Sequence, residues 1–281
     1  MPTFSTPAPI DLAINLPVGG IEVIASDRTD TVVTVSPTNP SKAVDVRGAA
    51  ETTVEFDGTR LTIKAPRPRF TVIGPTESVE IKVELPTASR LTAETSLGFV
   101  RSLGRLGATR IKASHVDLDT TGDLWLRANH GNAEIGTADG DVEITADHGQ
   151  IRIGTVTGDA VLKASHGSVT IGEAGAEVDA KLSYGDLEVG TALGSVAAKT
   201  AYGSIRLREV SNGAIDIETA YGQLTVGVKA DVPAWLDLVS KSGRVRNDLA
   251  GDTAPTASEQ SVAIRARTQF GEITIQRGSN A

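Results

Sequence analysis

The chain lacks cysteine altogether, and its 281 residues include one methionine and only 4% aromatic residues. Without cysteine it can form neither a disulfide nor a thiolate metal site. With so few aromatic rings, the core must be built mainly from Val, Ile, Leu and Ala. The lack of cysteine fits either side of a membrane, so it leaves the redox compartment undecided.

The chain also lacks a long apolar run, and its first residues do not have the pattern of a leader. Residues 1–16 contain no basic segment followed by an apolar one, and no stretch approaches the ~20 apolar residues that a membrane helix needs. We therefore expect no membrane span and a cytoplasmic location, with a surface location open if a leader has been removed. The net charge of -8 disfavours nucleic acid and anionic membranes as partners.

Familiar catalytic motifs are missing as well. The sequence has no G-x-S-x-G, H-E-x-x-H, P-loop or G-x-G-x-x-G pattern. This absence favours a protein that is not an enzyme, and we expect no cofactor.

What the chain does have is a repeat. The segments HGNAEIG, HGQIRIG, HGSVTIG, YGDLEVG, YGSIRLR and YGQLTVG align, and their first glycines are Gly131, Gly149, Gly167, Gly185, Gly203 and Gly222. The first four steps are 18 residues and the last is 19. A fixed period of this length indicates a repeat architecture in which each unit packs on the next.

One unit, residues 140–157, shows how the repeat folds. Val142, Ile144 and Ala146 share one parity of a strand, and Ile151 and Ile153 share one parity of the next. Neither short strand can bury its apolar face alone, whereas stacking the next unit covers it and pairs the backbones in parallel. The sequence therefore predicts an all-β fold, a parallel β-solenoid of the β-helix or β-roll kind with about 18 residues per coil. Parallel crossovers favour a right-handed coil.

The flanking regions are less regular. Residues 1–88 predict antiparallel strands and a hairpin, turning at Asp57-Gly58, that cap the solenoid. Residues 37–50 are polar and predict a loop within this region. Regular repeats follow over 89–228, and residues 229–281 predict irregular coils and a C-terminal cap, all in one continuous structural unit.

Several segments carry a resemblance to a known family. PTASRLTAETSLGFVRSLG, the serial His-Gly and Tyr-Gly units and WLDLVSKSGRVRNDL resemble a bacterial family of β-strand-repeat proteins of unknown function, common in actinobacteria and usually labelled "putative adhesin". The resemblance covers nearly the whole chain. It implies the fold and supplies no catalytic residues.

One repeat position holds all four histidines and then aromatic rings: His115, His130, His148, His166, Tyr184, Tyr202, Tyr221 and Phe270. With coils ~4.8 Å apart, neighbouring imidazoles could share Zn²⁺ or Ni²⁺. Tyrosine and phenylalanine fill the same position, which favours a corner stack of flat rings instead. The members from His130 to Tyr221 are our candidates for binding a ligand.

Three further features are candidate sites. Asp123, Asp141 and Asp159 follow successive glycines and could hold Ca²⁺, but turn propensity favours solvated turn aspartates, so we predict no metal. Trp125 should point outward, either as a binding platform or covered by the N-terminal strands. The basic cluster Lys64, Arg67 and Arg69 indicates a solvated loop.

These observations favour a non-enzymatic scaffold or a module that binds a protein or ligand. The expected partner is another protein or a second copy of the chain. Two alternatives stay open: a polysaccharide-active enzyme that uses carboxylates of the charged face, and a metal- or small-ligand-binding module that uses the histidine and aromatic ladder.

Overall fold

The computed structural model describes residues 2–66, 77–249 and 261–278. Arg67 and Arg69 of the predicted basic cluster, and the polar stretch 250–260, lie outside these residues. The described residues are mostly strands in long parallel sheets, which confirms the all-β solenoid. Within them no helix is long and apolar enough to span a membrane. The chain divides into two compact units, Met1–Asp139 and Gly140–Ala281.

The first unit contains thirteen described strands and one helix. In chain order these are β1 (Thr3–Ser5), β2 (Asp11–Asn15), β3 (Val18–Ser26), β4 (Asp30–Pro37), α1 (Ala43–Glu51), β5 (Thr53–Phe56), β6 (Arg60–Lys64), β7 (Val79–Pro86), β8 (Arg90–Glu94), β9 (Leu97–Arg105), β10 (Thr109–Ala113), β11 (His115–Thr121), β12 (Leu124–His130) and β13 (Ala133–Ala138).

The strands of the first unit lie in two sheets. One has the order β1-β4-β7-β3-β9-β11-β13 and the other β12-β10-β8-β2-β6-β5. The predicted hairpin is present, since β5 and β6 pair antiparallel, and β1, β4 and β7 are also joined by antiparallel pairing. However, β2, β3 and β7 make parallel pairs like those of the later coils, so coil geometry begins earlier than the glycine repeat indicates.

Helix α1 occupies part of the stretch 37–50, so the loop prediction there is wrong. The side chain of Asp45 is buried and accepts hydrogen bonds from the backbone N–H groups of Asn39 (3.2 Å) and Ser78 (3.1 Å). Gly48 lets the helix approach Val79 of β7 closely. These long-range contacts stabilise a nine-residue segment whose own sequence has little helical periodicity.

The second unit contains fourteen described strands. They are β14 (Val142–His148), β15 (Ile151–Val156), β16 (Ala160–His166), β17 (Val169–Ala174), β18 (Val178–Tyr184), β19 (Leu187–Ala192), β20 (Val196–Tyr202), β21 (Ile205–Val210), β22 (Gly213–Tyr221), β23 (Leu224–Val228), β24 (Ala234–Ser242), β25 (Val245–Asn247), β26 (Val262–Phe270) and β27 (Ile273–Arg277).

The predicted register is observed in this unit. Val142 pairs with Ala160, Ala160 with Val178, and Val178 with Val196, so each step is one repeat of 18 residues. The inward parity is also confirmed, since Val142, Ile144, Ala146, Ile151 and Ile153 are all buried. Two facing sheets, one through β14 and one through β15, enclose this aliphatic core.

The order of the last coils departs from the chain order. The sheets run β22-β26-β24 and β23-β27-β25, so the coil β26–β27 lies between the coils β22–β23 and β24–β25. The outer coil β24–β25 therefore precedes the coil β26–β27 in the chain, although β26–β27 packs between it and β22–β23. The sequence predicts irregular coils here but not this exchange of places.

Glycine is required where a strand of one sheet turns into the other. Gly185 has φ +144°, and a Cβ atom on it would lie 2.1 Å from the carbonyl oxygen of Gly167 in the preceding coil. Both the backbone conformation and the space exclude a side chain. Gly58 in the hairpin turn has φ +103° but open space around the same position.

Substituting Gly185→Ala should therefore lower the free energy of unfolding by about 2–4 kcal/mol, because strain and a backbone clash act together. The matched control Gly58→Ala carries only the strain and should cost about 1 kcal/mol. Urea unfolding of the two variants measures the difference. If both variants lose the same free energy of unfolding, the close contact between Gly185 and the carbonyl oxygen of Gly167 does not contribute to stability.

A charged cluster joins β4 and β7 of the first unit. The Arg28 guanidinium donates Nε–H to Asp30 (2.8 Å) and a second N–H to Glu84 (2.5 Å). The hydrogen bond from Arg28 holds the pKa of the Asp30 carboxyl below its usual value, and it does the same for the pKa of Glu84. Because both folded-state pKa values are depressed, the cluster stabilises the fold above the usual carboxyl range, and this stabilisation is lost as the pH falls through the folded-state values.

The variant Arg28→Gln should therefore melt below the wild type at pH 7, and the gap in Tm should shrink as the pH falls below about 4. Thermal unfolding followed by circular dichroism from neutral to acidic pH measures the gap. A gap of constant size over this range would contradict the assignment.

Candidate functional site

The predicted ring position forms a surface column at one corner of the second unit. We use the name ring column for six residues: His148, His166, Tyr184, Tyr202, Tyr221 and Phe270. Each of them ends a strand of one sheet and is followed by a glycine of positive φ that turns the chain toward the other sheet. Since every coil turns in the same way, the six side chains leave the backbone in the same direction.

The rings of the column stack face to face. Their centroids are 4.8 Å apart between His148 and His166, and 4.9–5.0 Å at each later step. The ring planes of neighbours are within 7° of parallel. The column therefore follows the spacing of parallel strands, and the predicted stack of flat rings is observed over these six residues.

The column lies at the surface. The three tyrosines are 45–49% exposed and Phe270 is 49% exposed, while both histidines are also exposed. Because each inner ring lies between two others, its faces are covered and its edge points to solvent. The tyrosine edges place three hydroxyl groups in a row, each able to donate and accept a hydrogen bond.

The same geometry bears on metal binding. A metal ion binds an imidazole nitrogen in the plane of the ring, and two ligand nitrogens on one tetrahedral Zn²⁺ lie ~3.3 Å apart. The His148 and His166 rings are parallel, so their nitrogen lone pairs point side by side instead of converging. The described residues also contain no group of three or more His, Asp or Glu side chains placed to hold an ion. The column is better suited to contact along its edge.

A second column of charge runs beside the rings. Lys163, Lys181 and Lys199 pair in register on neighbouring strands, three residues before the ring position. We call these three residues the lysine column. Lys181 lies 3.1 Å from Asp179, and Lys199 lies 3.2 Å from Glu218. These surface ion pairs partly offset the repulsion between the stacked ammonium groups.

The other two histidines lie in the first unit. His130 ends β12 and is exposed, as the repeat predicts. His115, in contrast, begins β11 in the opposite sheet and pairs with Phe99. No glycine follows His115, so the chain enters the next strand at once, and its placement at the common repeat position is wrong.

Trp125 points outward from β12, as expected, and it is half-buried. The Arg110 guanidinium on the paired strand β10 lies over the indole, 3.6 Å from the ring centroid. This cation–π contact occupies one face of the ring. Sequence reasoning left two alternatives for Trp125, and the neighbouring strand of the same sheet supplies a third.

The aspartate series has a structural use in the second unit. The backbone N–H of Asp159 donates to Asp141 Oδ1 (3.0 Å), and the backbone N–H of Glu177 donates to Asp159 Oδ1 (3.1 Å). Each carboxylate thus accepts a hydrogen bond from the next coil, which fits turn aspartates. Asp123, in the first unit, is exposed.

Two exposed apolar features were missed by the sequence analysis. On β9, Leu97, Phe99 and Leu103 point outward with exposures of 67, 45 and 39%, beside an open groove of about 340 Å³ that Phe99 and His115 help to line. On β24, Trp235 is 60% exposed. The signal was present in the sequence, since both strands have apolar residues at outward as well as inward positions.

The stacking energy of the column can be measured. Replacing Tyr202 by leucine removes two ring contacts of about 0.5–1.5 kcal/mol each, so the free energy of unfolding should fall by about 1–3 kcal/mol. Tyr202→Phe keeps both contacts and should cost less than about 0.5 kcal/mol. Denaturant unfolding compares the two, and equal effects would argue against stacking as a source of stability.

Comparisons with known proteins agree with this architecture. The sequence profile of the family described as Toastrack DUF4097 matches residues 11–279. No curated protein matches the chain.

Three solved structures are similar over nearly the whole chain. A "putative cell adhesion protein" from Clostridium sporogenes is 12% identical, with 98% of each chain covered and a TM-score of 0.23. A "putative adhesin" from Parabacteroides distasonis is 15% identical, with 98% of this chain and 95% of that one covered and a TM-score of 0.33. A "putative adhesin" from Bacteroides fragilis is 11% identical, with the same coverage and a TM-score of 0.28. Because the profile matches nearly the full length, the chain belongs to the Toastrack DUF4097 family, a β-repeat family of unknown function.

Proposed function

We propose that the protein is a non-enzymatic binding scaffold whose ring column holds an extended segment of a partner protein. The observation that carries the proposal is the ring column itself, six stacked rings with half-exposed edges at a constant spacing of about 5 Å. A row of this kind repeats one chemistry along a line, which suits a ligand that is itself extended.

The column has the properties of a contact surface in a protein complex. Tyrosine is enriched among the residues that dominate binding energy, because a flat ring with a hydroxyl combines apolar contact with hydrogen bonding. The stack also fixes the rings in place before binding, so little side-chain entropy is lost when a partner docks. Surface tyrosines outside a stack would lose more side-chain entropy on binding.

Charge supports a partner with acidic side chains. The lysine column runs along the same strands as His166, Tyr184 and Tyr202, three residues before each ring, and its spacing of one residue per coil matches theirs. A segment that lies along the rings would therefore pass a row of ammonium groups. Such complementary charge steers association and fixes the direction of docking.

Three carboxyl groups of the first unit are poorly suited to act as a glycoside-cleaving acid. The pKa of Asp30, Glu84 and Asp57 is lowered in each case. The cause is Arg28 for the first two, and for Asp57 it is first the backbone N–H of Arg60. A glycoside-cleaving acid needs a raised pKa, which calls for burial or a neighbouring carboxylate.

The test is photo-cross-linking in the native host. The photoreactive residue p-benzoylphenylalanine replaces Tyr202 in one variant and, as the matched control, the exposed Arg206 on the other sheet. We expect one recurring polypeptide attached at position 202, absent at 206, and lost when Lys181→Glu and Lys199→Glu are added. Equal labelling at both positions, or none at 202, would contradict the proposal.

A further inference from the structure

Among the described residues, the outer coil of the second unit, β24–β25, has a neighbouring coil on one side only. The coil β26–β27 lies between it and the rest of the unit, and within the described part of the chain β24 pairs with β26 alone. In an inner coil the apolar side chains are covered by coils above and below. The outer coil lacks one of these two covers.

The inward side chains of the outer coil are more exposed than those of the coil beside it. Ile264 and Ala266 of β26 are 2 and 0% exposed, whereas their partners Leu236 and Leu238 on β24 are half-buried. The outward residues of β24 alternate between apolar and charged, since Trp235 and Val239 are 60 and 46% exposed and Asp237 and Lys241 are exposed as well. The half-buried edge of the core therefore adjoins two exposed apolar side chains.

Within the described strands, the backbone of β24 also has one unpaired side. The N–H of Val262 donates to the carbonyl of Pro233. The backbone groups of Pro233 and of every second residue after it therefore face β26. Hydrogen-bonding directions alternate along a strand in a parallel pair. The peptide groups of Leu236, Leu238 and Ser240 therefore point away from the sheet, as a template for another strand.

We propose that this edge is closed by a second copy of the chain, with β24 pairing antiparallel to β24 of the copy about a two-fold axis at Val239. The strand sequence is self-complementary in this register. Asp237 of each copy lies opposite Lys241 of the other, and this ion pair occurs twice because the interface is isologous. Trp235 of each copy lies opposite Gly243 of the other, where there is no side chain to obstruct the indole.

The hydrogen-bonding pattern fits the same register. With the two-fold axis at Val239, Leu238 pairs with Ser240 of the copy. The N–H and C=O groups of both residues point away from their own sheets, so they can hydrogen-bond to each other. Val239 then faces its own copy in a non-hydrogen-bonded pair, where the side chains are closest. Moving the two-fold axis by one residue to Leu238 would pair Asp237 with Val239 and lose both ion pairs.

Two features of the chain favour a second copy at this edge. The net charge of -8 would oppose self-association elsewhere, but residues 234–248 contain three cationic and two anionic side chains. In addition, β24 has nine residues, whereas the edge strands of the first unit, β1 and β5, have three and four. Short edges protect a sheet from pairing, and a long apolar edge invites it.

Sedimentation velocity of the full chain over micromolar concentrations tests the assembly. We expect a monomer–dimer equilibrium, and Lys241→Asp should raise the dissociation constant roughly tenfold or more, since both ion pairs become repulsive. The matched control Lys112→Asp makes the same charge change at an exposed position of the first unit and should leave the constant unchanged. A wild-type chain that stays monomeric, or equal effects of the two variants, would overturn the proposal.

The absence of cysteine allows a second test that reports the register directly. Facing Cβ atoms of a non-hydrogen-bonded antiparallel pair are ~4.5–5.5 Å apart, close enough for a disulfide after small adjustments. Val239→Cys should therefore form a covalent dimer rapidly on mild oxidation. Val161→Cys, exposed on the same face in the middle of the unit, should remain monomeric. Equal cross-linking of both variants, or none at position 239, would overturn the register.

Discussion

The close stacking of coils is the constraint on which the rest of the structure depends. Each coil of the second unit is held by parallel pairing to the coils beside it, so every position along the 18-residue repeat recurs at strand spacing. At the corner this spacing brings the carbonyl of one glycine against the Cα of the next, and only glycine fits there. The same spacing sets the ring column, because flat rings are the side chains that stack at about 5 Å.

The surface chemistry of the second unit follows from this constraint. Each column arises because the same position of successive repeats carries the same kind of side chain. A substitution in one coil therefore changes only one member of the column. Rings form one row, lysines another, and aspartates a third that accepts hydrogen bonds from the following coil. The proposed binding of an extended partner rests on rows of this kind. A coil with only one neighbour, such as β24–β25, leaves its apolar side chains half-covered.

Much of the second unit could be predicted from the sequence, because its contacts recur at a fixed distance along the chain. The parity of Val142 and Ile144, the coil length and the stacked rings all follow from the local pattern. What could not be predicted depends on contacts between distant segments. Helix α1 is stabilised by Asp45 bonding to Ser78, and the coil β26–β27 fits beneath a coil that precedes it in the chain. The covering of Trp125 by Arg110 likewise requires the register of two strands.

Amide hydrogen exchange in dilute solution, resolved by coil, tests most directly whether each coil is stabilised by its neighbours. Protection should be highest in the coils from β16 to β21, which have a partner on both sides. It should be lowest in β24–β25, with the peptide groups of Leu236 and Leu238 exchanging fastest. Uniform protection across all coils, or slower exchange in β24 than in β20, would contradict the account.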